Sequence, residues 1–206
     1  MNPLDAHDIV TTLGTIGVLA ALFIETGLLV GLFLPGDSLL FVAGLAASGT
    51  AREIFGEQLS YTQLMIWAPI FATAGSQVGH WLGAKYGRPF FDRPDSRFFN
   101  QERVQQTEHW LLKYGLGKAL ILSHFIPFVR TLLNPLCGII GIPAKKFFFW
   151  NIFGSYIWTI GIISAGYLLG EKIEGSVDKY LLPMVVLIIV LSMSPILFEI
   201  LKGRKR

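Results

Sequence analysis

Four side chains in this 206-residue chain have types and settings suited to chemistry away from water: Glu25, Asp37, His124 and Arg130. Each interrupts or borders a long stretch without charge. Residues 9 to 24 form a charge-free run of 16 before Glu25, residues 26 to 36 a run of 11 before Asp37, and residues 38 to 51 a run of 14 before Arg52. Residues 119 to 129 then make a run of 11 before Arg130, and residues 131 to 144 a run of 14 before Lys145 and Lys146. An ionised group at the centre of a bilayer costs roughly 2.5 to 3.5 kcal/mol even on the lenient insertion scale, so a charge kept there implies a partner or a ligand. Arg130 stays charged at any working pH, and its planar fork can give two parallel hydrogen bonds to a phosphate. Glu25 and Asp37 can become neutral when desolvated, so either can carry a proton. A histidine has a reference pKa of about 6.5, which would let His124 titrate near neutrality.

Each of these groups also has a plainer use. Asp37 can serve only as a helix N-cap at a wet turn, Arg130 as a fixed partner of a carboxylate, Glu25 as an interfacial residue, and His124 as a packed, hydrogen-bonded side chain. Signals for bond-breaking chemistry are weak. The chain has no Gly-x-Ser-x-Gly elbow, no His-Glu-x-x-His and no Gly-rich phosphate loop followed by Lys-Ser or Lys-Thr. The single cysteine, Cys137, forms neither an internal disulfide nor a metal cluster. No enzyme activity, cofactor or metal is expected.

Composition says what must hold these groups. The chain is 52% hydrophobic and 15% charged with a mean hydropathy of +0.55, against about 25% charge in soluble domains. That deficit points to an integral membrane protein and argues against a disordered chain, a disulfide scaffold or a nucleic-acid module. Residues 1 to 8 hold Asp5 and Asp8 but no Lys or Arg, so no signal peptide is expected.

A helix needs about 20 residues to span the hydrocarbon, whereas runs of 10 to 14 suggest re-entrant or interfacial segments. Each unit of 11 and 14 residues therefore reads as a helical hairpin that turns near mid-membrane. Pro35-Gly36-Asp37-Ser38 supplies the first turn, and Pro127, Asn134 and Pro135 interrupt the second unit. A long run follows each hairpin, residues 58 to 84 and then 147 to 170, and the two long runs end alike. Gly79-His80-Trp81-Leu82-Gly83-Ala84-Lys85 and Gly166-Tyr167-Leu168-Leu169-Gly170-Glu171-Lys172 agree at four of seven positions.

The expected fold is thus all-α and integral to the membrane. It is an inverted repeat of a re-entrant hairpin plus a transmembrane helix, with repeat one at about residues 25–87 and repeat two at about 118–175. An amphipathic linker helix within residues 88–114 and a C-terminal transmembrane helix at about 180–201 complete a single domain over residues 1–206. Seven of the seventeen Lys and Arg lie in residues 85 to 118 and four more in residues 202 to 206, which places both segments in the cytoplasm. The side occupied by the N-terminus stays open. Gly75, Gly79, Gly83 and Gly87, like Gly166 and Gly170, recur every four residues and read as helix-packing stripes. In this scheme Asp37 and Arg130, at opposed hairpin tips, meet near the midplane, although Glu25 is an alternative partner for the guanidinium.

Glu25-Thr26-Gly27, the segment from Phe33 to Leu40, the segment from Phe125 to Thr131, Gly138, Phe147, Asn151, Gly154 and Trp158 together resemble the bacterial DedA family of the VTT-domain group, over roughly residues 14 to 170. The resemblance implies an inner-membrane protein with two opposed re-entrant hairpins that moves lipids between leaflets, with undecaprenyl phosphate as the substrate in bacterial members. It also implies functional acidic positions at Glu25 and Asp37 and a functional basic one at Arg130. Many members place a second Arg where this chain has His124, so the phosphate site either has one fixed charge fewer or gains it from protonated His124.

The expected function is a lipid-phosphate translocase. Arg130 and His124 bind phosphate, Glu25 and Asp37 serve as proton-coupling or ion-pair groups, and Pro35, Gly36, Pro127 and Pro135 shape the hairpin turns. Its partners are a lipid phosphate and the surrounding lipids, without nucleic acid, and an oligomer is compatible with this reading. A proton-coupled antiporter for a small cation or osmolyte is the second reading, and a membrane scaffold acting through the basic segment is the third.

Overall fold

The computed structural model describes residues 6–28, 36–49, 58–91, 109, 111 and 113–172. Among these the protein is helical, in the order α1 (Ala6–Gly27), α2 (Gly36–Ala46), α3 (Tyr61–Phe91), α4 (Leu116–Ser123), α5 (Pro127–Ile139) and α6 (Ala144–Lys172). The all-α expectation therefore holds. Pro35, most of the expected linker helix and the expected C-terminal helix at about 180–201 lie outside the described residues.

Of the described helices, α6 is both long and apolar enough to cross a bilayer. At 31 residues α3 also has the length, since about 20 residues suffice, but it carries Thr73, Ser76, Gln77 and His80 through its middle. These neutral polar groups escaped a search for charge alone. The first helix is continuous from Ala6 to Gly27 apart from a break at Gly14, where φ is 56° and ψ is −147°. Glu25 thus lies in the last turn of a preceding helix, and the 26–36 run following it falls mostly outside the described residues.

The chain divides into two compact units. The first comprises Met1–Ala21, Phe33–Ala68 and Thr159–Arg206, and the second Leu22–Leu32 and Pro69–Trp158. In the first unit α2 is buried along its whole length except at Asp37. Its Gly44 lies against the Ile163 carbonyl, and Gly166 and Gly170 of α6 lie against the Phe41 carbonyl and the Ser48 side chain. A Cβ at Gly44 or Gly166 would strike backbone, so these helices can touch at this distance only through glycine. Leu59 N–H donates to the Ala46 carbonyl at 2.8 Å, tying the chain beyond α2 back to the helix end. The Tyr61 and Ser164 hydroxyls are hydrogen-bonded at 3.0 Å, and the Tyr61 and Tyr167 rings lie 4.3 Å apart.

The second unit is built on the same device. Gly83 of α3 lies against the backbone of Pro135, Gly138 of α5 against the His80 carbonyl, and Gly87 against the Ile139 side chain. The stripe Gly75-Gly79-Gly83-Gly87 is thus the surface on which the end of α1 and α5 rest, because Gly75 and Gly79 meet Phe23, Thr26 and Gly27. Around this contact Leu120, Leu133, Cys137 and Phe147 form an apolar cluster.

The turn joining α4 to α5 falls at His124, Phe125 and Ile126. Pro127 occupies the first turn of α5, where its missing N–H and fixed φ cost nothing. Pro135 is placed differently from its expected role as a turn residue. It lies inside α5, which continues to Ile139, and although a proline there removes one helical hydrogen bond, its backbone is seated against Gly83 of the long helix.

Candidate functional site

The side chains that define the site converge within the second unit. The sequence ends α1 just beyond Glu25, with Gly27 as the last helical residue, and starts α5 at Pro127, three residues before Arg130. Glu25 therefore sits at the negative end of one helix and Arg130 at the positive end of another, where the aligned peptide dipoles act within the last and first turns. Each charge adds to the polarity of its own helix end and so opposes its own dipole, an arrangement that persists only if the two ends neutralise one another. They do. The Arg130 Nη2 donates to Glu25 Oε1 across 105 residues of sequence, with both side chains almost wholly buried, at 1% and 4% exposure.

Two further contacts fix the guanidinium, and one fixes the backbone that carries it. Its carbon lies 3.8 Å from the centre of the Trp158 ring, a close cation–π stack. Its Nη1 donates to the His124 carbonyl at 3.1 Å. Backbone placement comes from the Arg130 N–H, which donates to the Ile126 carbonyl at 2.9 Å and so closes the first turn of α5. Together these contacts hold the plane of the fork rather than only its charge.

His124 is locked separately. Nδ1 faces the Leu120 carbonyl at 2.8 Å and Nε2 faces the Ser155 hydroxyl at 3.2 Å. A carbonyl only accepts, so Nδ1 carries a proton, and in a neutral ring Nε2 accepts from Ser155. The ring sits over Gly154, where a Cβ would strike it, and 6.2 Å from the Trp158 ring. Asn151, Gly154, Ser155 and Trp158 fall at i, i+3, i+4 and i+7 on α6, one helical face receiving both His124 and Arg130.

The end of α1 is closed by a neutral pair. Asn134 Nδ2 donates to the Thr26 carbonyl at 2.9 Å, satisfying an oxygen left over at the helix terminus. The Thr26 hydroxyl turns back to the Leu22 carbonyl at 2.9 Å. Asn151 Nδ2 reaches the Thr73 carbonyl of α3 at 3.4 Å. The described residues of the site therefore form a buried polar core with a fixed cation, a carboxylate and a surround of amides and hydroxyls, suited to hold an anion without bulk water.

Of the residues expected to act, the structure brings together Glu25, His124 and Arg130, and Arg130 forms an ion pair with Glu25. Asp37 lies in the first turn of α2, beside Gly36, in the other unit. There it has the position expected of an acid favoured by a helix N-terminus. In the sequence Asn134 reads only as an interruption of the second unit, Asn151 only as part of the family resemblance, and Ser155 carries no role. A search for neutral polar side chains repeating at helical spacing inside the charge-free runs would have found Asn151 and Ser155 on α6, and Thr73, Ser76 and His80 on α3.

Comparison with known proteins agrees with a membrane setting. The VTT domain pattern matches residues 11–168. The chain belongs to the DedA family of VTT-domain proteins. It is 34% identical to Protein DedA of Escherichia coli (strain K12) over 184 residues, covering 89% of this chain and 80% of that protein. It is 32% identical over 179 residues to Inner membrane protein YqjA of the same strain, covering 81% of this chain and 76% of that one. An uncharacterized membrane protein of Mycobacterium tuberculosis is 34% identical over 158 residues, or 75% of this chain and 65% of the relative. No solved structure matches this DedA-family chain. It is a membrane protein whose described elements are helices, with relatives in the inner membrane.

Proposed function

We propose that this DedA-family protein is a translocase for lipid phosphates, with undecaprenyl phosphate as cargo and no bond-breaking chemistry. One observation carries the reading: a buried guanidinium at a helix N-terminus, stacked on Trp158 and balanced by Glu25. A phosphate has the charge and the paired oxygens to replace the Glu25 carboxylate on the fork of Arg130. Helix N-termini favour such anions, because the unsatisfied N–H groups and the dipole act in the same sense. The polyprenyl tail needs no protein site, since lipid solvates it.

Exchange of partners supplies the switch. In the resting state the Glu25–Arg130 pair ties the end of α1 to the start of α5. Phosphate binding releases α1 from α5, and a proton taken up by Glu25 keeps the buried charge matched. Loss of that proton draws Glu25 back to Arg130 and expels the anion. Asp37, at the start of α2, is the second carboxylate available for proton transfer in this scheme. The short buried helices α2 and α5, each laid on a long helix through glycines, support the reading of both as returning arms of re-entrant hairpins in an inverted repeat, which is how many transporters set their sites at mid-membrane.

The test is reconstitution into vesicles carrying a fluorescent polyprenyl phosphate, with a neutral-headgroup lipid as control. Phosphate-dependent movement is expected with the native protein. Arg130→Lys keeps the charge but loses the fork, so it should remain folded and lose most of the movement. Native-level flux in that variant, or flux indifferent to the headgroup, overturns the reading.

A further inference from the structure

The second unit has a chemically distinct end, separate from the buried polar core. Gly87 near the end of α3 meets Ile139 at the end of α5, and His80 Nε2 is 2.9 Å from the carbonyl of Ile142 in the link to α6. Gly117 in the first turn of α4 meets the ring of Trp150 near the start of α6. These contacts gather the end of α3 and the starts of α4 and α6 on one side. Lys85, Lys113, Lys118, Lys145 and Lys146 all lie there and all are exposed. Among the described residues of this unit the acidic side chain is Glu25, which is buried at the ion pair. Among the described residues the exposed charge of this end is therefore of one sign.

Aromatic side chains are interleaved with the lysines. Lys85 Nζ lies 5.0 Å from the Trp81 ring and 5.2 Å from the Tyr86 ring, and Lys113 Nζ lies 5.3 Å from the Tyr114 ring. Trp81 is 51% exposed and Phe149 54%, values that make little sense in water but suit a lipid boundary. Phe149 packs edge-on against both Trp150 and Phe153, with ring centres 5.2 Å apart in each pair. Trp and Tyr collect at headgroup level because one part of each ring system is apolar and another polar. Lysine places its stem in the apolar layer and its ammonium among the headgroups.

We infer that this end is a docking surface for anionic phospholipid headgroups, and that its occupant is the acidic lipid of the surrounding leaflet, such as phosphatidylglycerol. The lysines match the negative headgroup, and the exposed rings match the acyl boundary beneath it. A basic residue near an anionic leaflet strengthens attachment roughly fivefold, so several together select acidic over zwitterionic lipid. The surface does not depend on the translocase reading, because its lysines are exposed whereas Arg130 and Glu25 are buried in the polar core described above.

Native mass spectrometry of the full chain, released from bilayers of equal phosphatidylglycerol and phosphatidylcholine, tests this. The native protein is expected to retain phosphatidylglycerol in clear excess. The triple variant Lys85→Gln, Lys145→Gln, Lys146→Gln should lose that retention by tenfold or more, whereas Lys172→Gln, at the opposite end of α6, should keep it. Helical circular dichroism checks folding. If the triple variant does not fold, Lys85→Gln and Lys145→Gln alone carry the test, each with a loss of roughly fivefold. Equal retention of the two lipids by the native protein, an unchanged excess in a folded lysine variant, or an equal loss in Lys172→Gln overturns the inference.

Discussion

The two units use one packing device for different ends. In the first, α2 rests on α6 through Gly44, Gly166 and Gly170, and what it buries is almost entirely apolar, from Leu39 to Ala46. In the second, α5 rests on α3 through Gly83 and Gly138, yet it buries Arg130, Thr131 and Asn134 beside Leu132, Leu133 and Leu136. Backbone contact through glycine gives rigidity in both cases. Among the described residues the second unit is the one that spends part of its interior on charge, and a buried ion pair is weak evidence for stability because desolvation offsets most of its attraction. Its retention in the protein interior points to use rather than to strength.

The sharpest way to break this comparison is to remove one partner of the pair. Arg130→Ala leaves Glu25 buried with its counter-charge gone, and the expected cost is about 3 to 5 kcal/mol. Equilibrium unfolding in mixed micelles reads it. Pairing Arg130→Ala with Glu25→Gln should recover much of that stability without recovering lipid-phosphate movement, since the charge imbalance is relieved and the anion site is still lost. Should the double variant be as unstable as the single one, the cost lies in the Trp158 and His124 contacts rather than in charge.

A smaller effect is expected to be alike in both units. Gly83→Ala and Gly44→Ala each drive a Cβ into backbone, at Pro135 and at Ile163 respectively, and overpacking of this kind costs about 1 to 3 kcal/mol. Comparable losses of melting temperature would support a shared device. A large loss in only one would show that the other helix pair can slide apart.

Trp158→Phe keeps a ring under the guanidinium but weakens the cation–π attraction, which is strongest over an indole. A loss of about 1 kcal/mol is expected, with a larger effect on lipid-phosphate movement than on unfolding. Tyr61→Phe, in the first unit, removes one hydrogen bond to Ser164. It should cost about 0.5 to 1.5 kcal/mol and leave movement unchanged. A transport defect in Tyr61→Phe would mean that the apolar unit also takes part in the cycle.

Much of the site was legible in the chain because charge in an apolar run is rare and conspicuous. Glu25, Asp37 and Arg130 stand out for that reason, and Gly75-Gly79-Gly83-Gly87 stands out by its period. Pro127 and Pro135 look alike as helix breakers, but one opens α5 and the other lies within it. The difference rests on what packs against each, which for Pro135 is the bare backbone of Gly83. Asn134 was hidden for a related reason: a neutral amide in an apolar run shows its value only when an unsatisfied carbonyl, here that of Thr26, is brought to it.

By itself the sequence determined the solvent, the helices and the inventory of charges, since those follow from transfer free energies and local periodicity summed along the chain. It left Asp37 and Glu25 as rival partners for Arg130. Tertiary structure showed Glu25 on the guanidinium, and added the Trp158 face and the His124 carbonyl. An ion pair spanning 105 residues depends on how the end of one helix meets the start of another, and that meeting is set by where two glycine-lined surfaces allow the backbones to touch.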